Sequence, residues 1–239
     1  YMMGATKTDG TLWMWGDGTG GQLAQNSVVR YSSPVQVGSD TTWVNGINKL
    51  DSGYYTHAIK TDGTLWAWGK DWEFGISALN IVGNRSSPTQ VPGTTWSTVV
   101  GGFYHKSALK TDGTLWMWGQ GGSGVLGQND NTSLSSPVQV PGTWSSHATT
   151  KLGGGSGAIN TDGELFMWGD NSVGTLGQND RTNRSSPVQV PGTTWSRITQ
   201  VTEGSFAMTK TDGTAWSWGQ NEHGQLGLNN RTLYSSPVQ

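Results

Sequence analysis

The chain has 239 residues and a formal net charge of −2, and 13% of its residues are charged. No basic stripe is present that would neutralise phosphates, which argues against direct nucleic-acid binding. No run of about 18 apolar residues occurs, so no segment is predicted to span a membrane. Cysteine is absent, which excludes disulfides and thiolate metal sites.

A short phrase recurs along the chain at a nearly fixed interval. Thr-Asp-Gly begins at residues 8, 61, 111, 161 and 211, and Ser-Ser-Pro ends at residues 34, 88, 137, 187 and 237. A period near 50 residues indicates a repeat architecture. The chain is therefore predicted to be a single domain, residues 1–239, with repeats over approximately 1–34, 35–88, 89–137, 138–187 and 188–239. Function is expected where one repeat departs from the others.

Each unit is predicted to hold three to four short strands and no helix. In the unit 88–137, extended segments are expected at 88–91, 96–100, 104–110 and 115–118, with Ser-Ser-Pro starting the next unit. Thr-Asp-Gly reads as a hairpin turn, because aspartate bonds nearby backbone amides and glycine accepts a positive φ.

The strand 115–118 predicts how the units pack. Trp116 and Trp118 share one face, and Leu115 and Met117 share the other, so both faces are apolar. Radial stacking of small sheets covers both faces, which favours an all-β fold, a β-propeller with one blade per repeat and five repeats in this chain. A parallel β-helix is the alternative. The ring either closes with five blades or is completed by sequence not shown, and the second is favoured because an open edge invites aggregation.

Two segments carry a family resemblance. Residues 218–227, Trp-Gly-Gln-Asn-Glu-His-Gly-Gln-Leu-Gly, resemble the loop signature of the regulator of chromosome condensation repeat family, and residues 102–105, Gly-Phe-Tyr-His, resemble its strand signature. The resemblance covers essentially the whole chain, is nearest to bacterial and phage members, and implies a propeller, usually of seven blades. No residue matches a motif for the founder's nucleotide-exchange activity. A bacterial relative that inhibits β-lactamases through loops on one face implies protein binding as a mode.

The candidate catalytic and metal-ligating residues are interpreted as structural. The hairpin aspartates are expected to form turns and not a calcium site. His57 and His105 occupy matching positions and are expected to be hydrogen-bonded between blades, since a zinc site needs three or four converging ligands. No serine or threonine has an activating context. The chain is therefore predicted not to be an enzyme and to hold no catalytic residue, metal or cofactor.

The binding surface is predicted where aromatic residues break the repeat pattern. The hairpin tryptophans occur in every unit and are expected to pack in the core. Exposed aromatics on one face are typical of binding hot spots. The predicted binding residues are Trp72, Phe74, Tyr54, Tyr55, Phe103 and Tyr104.

These features favour a non-enzymatic binding or structural module that engages a protein or glycan through loops on one propeller face. The expected location is extracellular, on a cell surface or a virion, and the oligomeric state is left open. A purely structural assembly or spacer unit is one alternative. A carbohydrate-active enzyme that uses the propeller funnel is the other, although no acid cluster is evident.

Overall fold

The computed structural model describes residues 2–71, 75–81, 83–102, 104–149, 154–202 and 204–239. These residues form five antiparallel sheets, each built from strands that follow one another in sequence. The first blade holds β1 Met2–Thr6, β2 Leu12–Gly16 and β3 Tyr31–Gln36. The second holds β4 Leu50–Asp51, β5 Tyr55–Ile59, β6 Leu65–Gly69 and β7 Arg85–Gln90.

The remaining blades repeat the four-stranded meander. The third holds β8 Trp96–Gly101, β9 His105–Lys110, β10 Leu115–Gly119 and β11 Leu134–Val140. The fourth holds β12 Trp144–Thr149, β13 Gly155–Asn160, β14 Leu165–Gly169 and β15 Arg184–Gln189. The fifth holds β16 Trp195–Thr202, β17 Ser205–Lys210, β18 Ala215–Gly219 and β19 Tyr234–Val238. The predicted all-β propeller with one blade per repeat is confirmed.

The Ser-Ser-Pro segments lie elsewhere than predicted. They do not start the next unit, because each belongs to the last strand of its own sheet; for example, β11 pairs with β10 through Met117 and Val138. The predicted boundaries at residues 34, 88, 137 and 187 therefore fall inside β3, β7, β11 and β15. A break at Gly119 in the pairing register lets this strand bend along the outer edge of the blade.

The hydrophobic core lies between consecutive blades. Leu115 and Met117 on β10 are fully buried and share a cluster with Trp144 and Trp168 of the next blade. Trp118, on the opposite face, belongs to the cluster of the preceding blade. The second, third and fourth blades are thus covered on both faces by their neighbours, as the apolar pattern of both strand faces predicts.

A hydrogen bond is repeated at every junction between consecutive blades. The indole N–H of the tryptophan near the end of each third strand donates to a backbone carbonyl in the long loop of the preceding blade, at 2.8–3.0 Å. The donor and acceptor pairs are Trp68 with Gln22, Trp118 with Ile76, Trp168 with Val125 and Trp218 with Thr175. These tryptophans are at most 1% exposed, so both partners of the bond are out of water.

Glycine allows the close approach at this junction. A Cβ on Gly124 would lie 2.3 Å from the Cα of Ser185 in the next blade, and its φ is +77°. Gly224 holds the same position in the fifth blade, but there the nearest contact is 3.9 Å away. Among the described residues, Trp15 Nε1 and the carbonyl of Gln225 make no hydrogen bond, so the first and fifth blades are not joined as consecutive blades are.

Replacing Trp118 by phenylalanine tests the junction. Trp118→Phe removes a buried donor and ring volume, and we expect it to lower the free energy of unfolding by about 2–3 kcal/mol in urea titrations. Trp116→Phe is the control: Trp116 is half-buried, its N–H reaches only Thr114 within the same blade, and the fourth blade has Phe166 there. Its expected cost is about 1 kcal/mol or less. Equal costs for the two variants would contradict the junction's importance.

Candidate functional site

Two exposed tyrosines lie at equivalent positions in neighbouring blades. Tyr54 and Tyr104 are 44% and 40% exposed, and each directly precedes the second strand of its blade. Their backbone carbonyls accept the amides of Lys70 and Gln120, which follow the third strands. Both tyrosines therefore lie at the same end of the second and third blades.

Tyr55 does not belong to this surface. It was predicted as a binding residue, but its side chain is fully buried in the cluster that contains Ile76 and Trp118. Consecutive strand residues point to opposite faces, so in this pair of adjacent tyrosines one is exposed and the other packs inward. Burial raises the pKa of the Tyr55 hydroxyl.

The other three predicted binding residues, Trp72, Phe74 and Phe103, lie outside the described residues, and their role stays a prediction. In the same long loop of the second blade, Ile81 is 44% exposed.

The two histidines are buried, but they neither occupy matching positions nor make the expected bonds between blades. His57 pairs with Ala67, whereas His105 pairs with Gly119 and so matches Tyr55, which pairs with Gly69. His57 and His105 are 0% and 4% exposed, and the His57 ring lies 5.4 Å from the ring of Trp118. Among the described residues, neither nitrogen of His57 nor Nε2 of His105 makes a hydrogen bond of normal geometry. The rings act mainly as packing groups. Burial and, secondarily, the charge of Lys106 lower the pKa of both, that of His105 to about 3.

The first strands of consecutive blades contact one another and line a cleft of about 410 Å³. His147 lies there, a residue that sequence reasoning did not single out because its partners come from another blade. Its Nδ1 is 2.7 Å from Ser107 Oγ, and its Nε2 is 2.8 Å from Thr98 Oγ1. A serine oxygen beside an imidazole is the arrangement of a nucleophile and its base.

The surroundings of His147 oppose catalysis by this pair. Ser107 is 1% exposed, which leaves no path for a substrate. Both ring nitrogens face hydroxyl groups, and burial lowers the pKa of His147 to about 3, so the ring is neutral at physiological pH. A base orientated by a carboxylate, as in hydrolytic triads, is not formed here. The geometry is that of a buried polar cross-link between the third and fourth blades.

Acidification is expected to weaken this fold through its buried histidines. The unfolded chain binds protons near the ordinary histidine pKa of 6.5, whereas folded His147 does so only near 3. Its contribution is therefore complete above the unfolded pKa and is lost as the pH falls below it. We expect His147→Gln to reduce the pH dependence of unfolding free energy by up to about 1.4 kcal/mol per pH unit between about pH 4 and 6.

Urea titrations at several pH values measure this dependence. His223→Gln is the control, because His223 lies on the surface. An unchanged pH dependence in His147→Gln would show that His147 is not protonated on unfolding.

The hairpin aspartates form turns, as predicted. In four of the five hairpins the carboxylate accepts hydrogen bonds from the amide and hydroxyl of the threonine two residues later, at 2.6–3.0 Å. The pairs are Asp9 with Thr11, Asp62 with Thr64, Asp112 with Thr114 and Asp212 with Thr214. The threonine hydroxyl is the largest cause that lowers the pKa of these carboxyl groups.

The hairpin of the fourth blade differs. Glu164 replaces the threonine, and the side-chain oxygen of Asn160 accepts the amides of Asp162 and Glu164 at 3.0 and 2.9 Å. Among the described residues, the carboxylate of Asp162 accepts no hydrogen bond. It lines a cleft of about 580 Å³ together with Trp144 and Phe166.

Alanine substitution separates the two kinds of hairpin. Asp112→Ala removes two turn hydrogen bonds, and we expect it to lower the free energy of unfolding by about 1 kcal/mol. Asp162→Ala is the matched change in the fourth blade and removes none, so its expected effect lies within about 0.5 kcal/mol of zero. Urea unfolding measures both, and a cost for Asp162→Ala as large as that for Asp112→Ala would contradict the assignment of the turn to Asn160.

These features define a class of protein: an array of antiparallel propeller blades whose repeated residues serve packing and turns. In the described part of the chain, no group of three or more histidine, aspartate or glutamate side chains is placed to hold a metal ion. No helix there is long and apolar enough to cross a membrane.

The family follows from the sequence match. The model of the Regulator of chromosome condensation (RCC1) repeat matches residues 9–46, 112–155, 162–206 and 212–239, more than half of the chain. The chain belongs to the RCC1 repeat family, as the sequence signatures indicate. A search of curated protein sequences finds no match.

Solved structures share the fold. Human WBSCR16 superposes with a TM-score of 0.81 at 21% identity, over 97% of this chain and 62% of that chain. The structure of Kap60 bound to yeast RCC1 (Prp20) gives 0.82 at 17% identity, over 100% and 59%. Prp20p from Saccharomyces cerevisiae gives 0.56 at 15% identity, over 99% and 74%. The chain spans about three fifths of the first two, and at these identities the likeness concerns the fold.

Proposed function

We propose that the chain is a non-enzymatic module that binds a protein through the end of the blades where Tyr54 and Tyr104 lie. Family membership supports a binding role: yeast RCC1 (Prp20) is bound to Kap60 in one similar structure, and binding to Gsp1p and histones is described for Prp20p. Kap60, Gsp1p and histones are partners of those proteins, and the proposal for this chain names no particular partner.

The pair of tyrosines is the observation that carries the proposal. Tyr54 and Tyr104 are exposed at equivalent positions of adjacent blades, where the fourth and fifth blades have Gly154 and Gly204. A residue required by the fold would recur in all blades, so these two rings serve something other than the repeat. Tyrosine offers a large contact area and a hydroxyl at small entropic cost, and it is enriched in binding hot spots.

The proposed location is extracellular, on a cell surface or a virion. Support comes from the small charged fraction of 13% and the 37 glycines, which fit near-identical repeats that vary at their loops. Protease treatment of intact cells or purified particles tests this location: degradation of the chain before lysis is expected, and protection until lysis would contradict it.

Substitution of the tyrosines tests the binding surface. A photo-crosslinking amino acid next to Tyr104 identifies the partner, and binding of that purified partner is then measured by calorimetry. We expect Tyr54→Ala with Tyr104→Ala to weaken binding by about tenfold or more, as loss of hot-spot aromatics does.

The tyrosine variant must remain folded, as judged by its urea transition. Met3→Ala is the control, because Met3 is 59% exposed but lies on β1 of the first blade. Unchanged affinity in the double variant would contradict a binding role for this surface. A partner released by glycosidase treatment would indicate a glycan instead.

A further inference from the structure

A lysine ammonium group is held against aromatic rings in four of the five units. The lysine directly precedes the Thr-Asp-Gly turn, and its Nζ lies 4.0–4.8 Å from the ring centroids. In three units two indole rings contact it, one from the start of the blade and one from the third strand. The sets are Lys7 with Trp13, Lys60 with Trp43 and Trp66, Lys110 with Trp96 and Trp116, and Lys210 with Trp195 and Trp216.

The fourth blade keeps the rings and lacks the cation. Asn160 replaces the lysine, and Phe166 replaces the second tryptophan. The rings of Trp144 and Phe166 still pack edge to face, with centroids 5.5 Å apart. Among the described residues, no cation lies over either ring. An aromatic face attracts cations through its quadrupole, so this pair retains the attraction without the group that satisfies it elsewhere.

The charge around these rings is also more negative in the fourth blade than in the other units. Glu164 stands where four units have threonine, so this blade loses one positive charge and gains one negative charge relative to them. Glu164 accepts hydrogen bonds from the side chains of Asn160 and Gln189, at 2.8 and 3.1 Å, which holds the carboxylate in place. Asp162 is released from its turn because Asn160 caps the amides, so a second carboxylate lines the cleft.

The cleft of about 580 Å³ described above is lined by Trp144, Phe166, Asn160 and Asp162 and by residues 127–129 of the third blade. Two aromatic rings and the carboxylate of Asp162, which accepts no hydrogen bond from the described residues, therefore line a cleft where the lysine of the other blades is replaced by Asn160. We propose that this cleft, called here the fourth-blade cleft, binds the side chain of a lysine supplied by a partner protein. The inserted ammonium would take the place that Lys110 or Lys210 holds in its own blade. The proposal deepens the protein-binding function and rests on it.

A lysine is favoured over a larger cation by the internal comparison. In three other blades a lysine ammonium lies over the two equivalent rings, and here both rings line the cleft. The hairpin turn precedes the third strand of each blade, whereas Tyr54 and Tyr104 lie at the other end of that strand, where they bond Lys70 and Gln120. The fourth-blade cleft is therefore a separate contact from the tyrosine surface.

The test is a titration of the 239-residue chain, followed by NMR of the Trp144 indole group. The probes are two acetylated, amidated tripeptides, Gly-Lys-Gly and Gly-norleucine-Gly, which differ by the ammonium group. We expect the lysine peptide to bind at least about fivefold more tightly, which is the size of one cation–aromatic contact with a nearby carboxylate. Equal binding of the two peptides, or no shift of the Trp144 signal with the lysine peptide, would overturn the proposal.

Two lysine substitutions, one inside the cleft and one outside it, test whether the cleft binds the cation. Asn160→Lys places the repeat's own ammonium in the cleft and should fold, since four units carry lysine there; we expect loss of lysine-peptide binding by about tenfold. Ser172→Lys adds the same charge at an exposed position of the fourth blade that does not line the cleft, so binding should stay within about twofold. Wild-type affinity in a folded Asn160→Lys variant would overturn the proposal.

A third variant keeps the test decisive if Asn160→Lys does not fold. Asp162→Asn preserves shape and removes one negative charge, and lysine-peptide binding should weaken by about threefold or more while the norleucine peptide is unaffected. Equal effects on both peptides would count against the proposal.

The Tyr54→Ala and Tyr104→Ala variant must bind the lysine peptide as wild type does. If that variant keeps its partner while the lysine peptide still binds, the tyrosine surface fails and the cleft stands.

Discussion

Packing between blades is the constraint on which the structure depends. A single four-stranded sheet with two apolar faces has no stable state in water, so each blade is buried only through its neighbours. The repeated bond from a tryptophan indole to a carbonyl of the preceding blade fixes the relative position of adjacent sheets, because a buried N–H without a partner is costly. The tryptophan donor recurs at all four junctions, whereas the acceptor is a backbone carbonyl and its residue differs from one junction to the next.

Most of the fold could be predicted from the sequence because the motifs that specify its turns and strands recur at a fixed period. The hairpin turn and the alternating strand recur in the structure, and the family model confirms the family that the signatures indicated. The placement of Ser-Ser-Pro was wrong because a recurring motif shows its period but not the sheet with which it pairs. Tyr55 was misplaced for a related reason: with Tyr54 beside it, the aromatic pair does not reveal which ring points inward.

The fourth-blade cleft could have been found by aligning the units, since Asn160, Glu164 and Phe166 all depart from the consensus within seven residues. Each change alone looks conservative or neutral. Only the structure shows that they are coupled: Asn160 assumes the turn-capping role of an aspartate, and that frees Asp162 for the cleft. His147 had no such signal, because its partners Ser107 and Thr98 come from another blade.

The junction bond also gives the array a direction. Each of the second, third and fourth blades contributes an indole donor towards the blade before it and a loop carbonyl towards the blade after it, as Trp118 and Val125 do in the third blade. A tandem duplication that copies one whole unit therefore inherits both halves of the contact and fits between its neighbours without a newly evolved interface. Gene-level recombination at this period can lengthen or shorten such a protein while each junction between consecutive blades keeps its hydrogen bond.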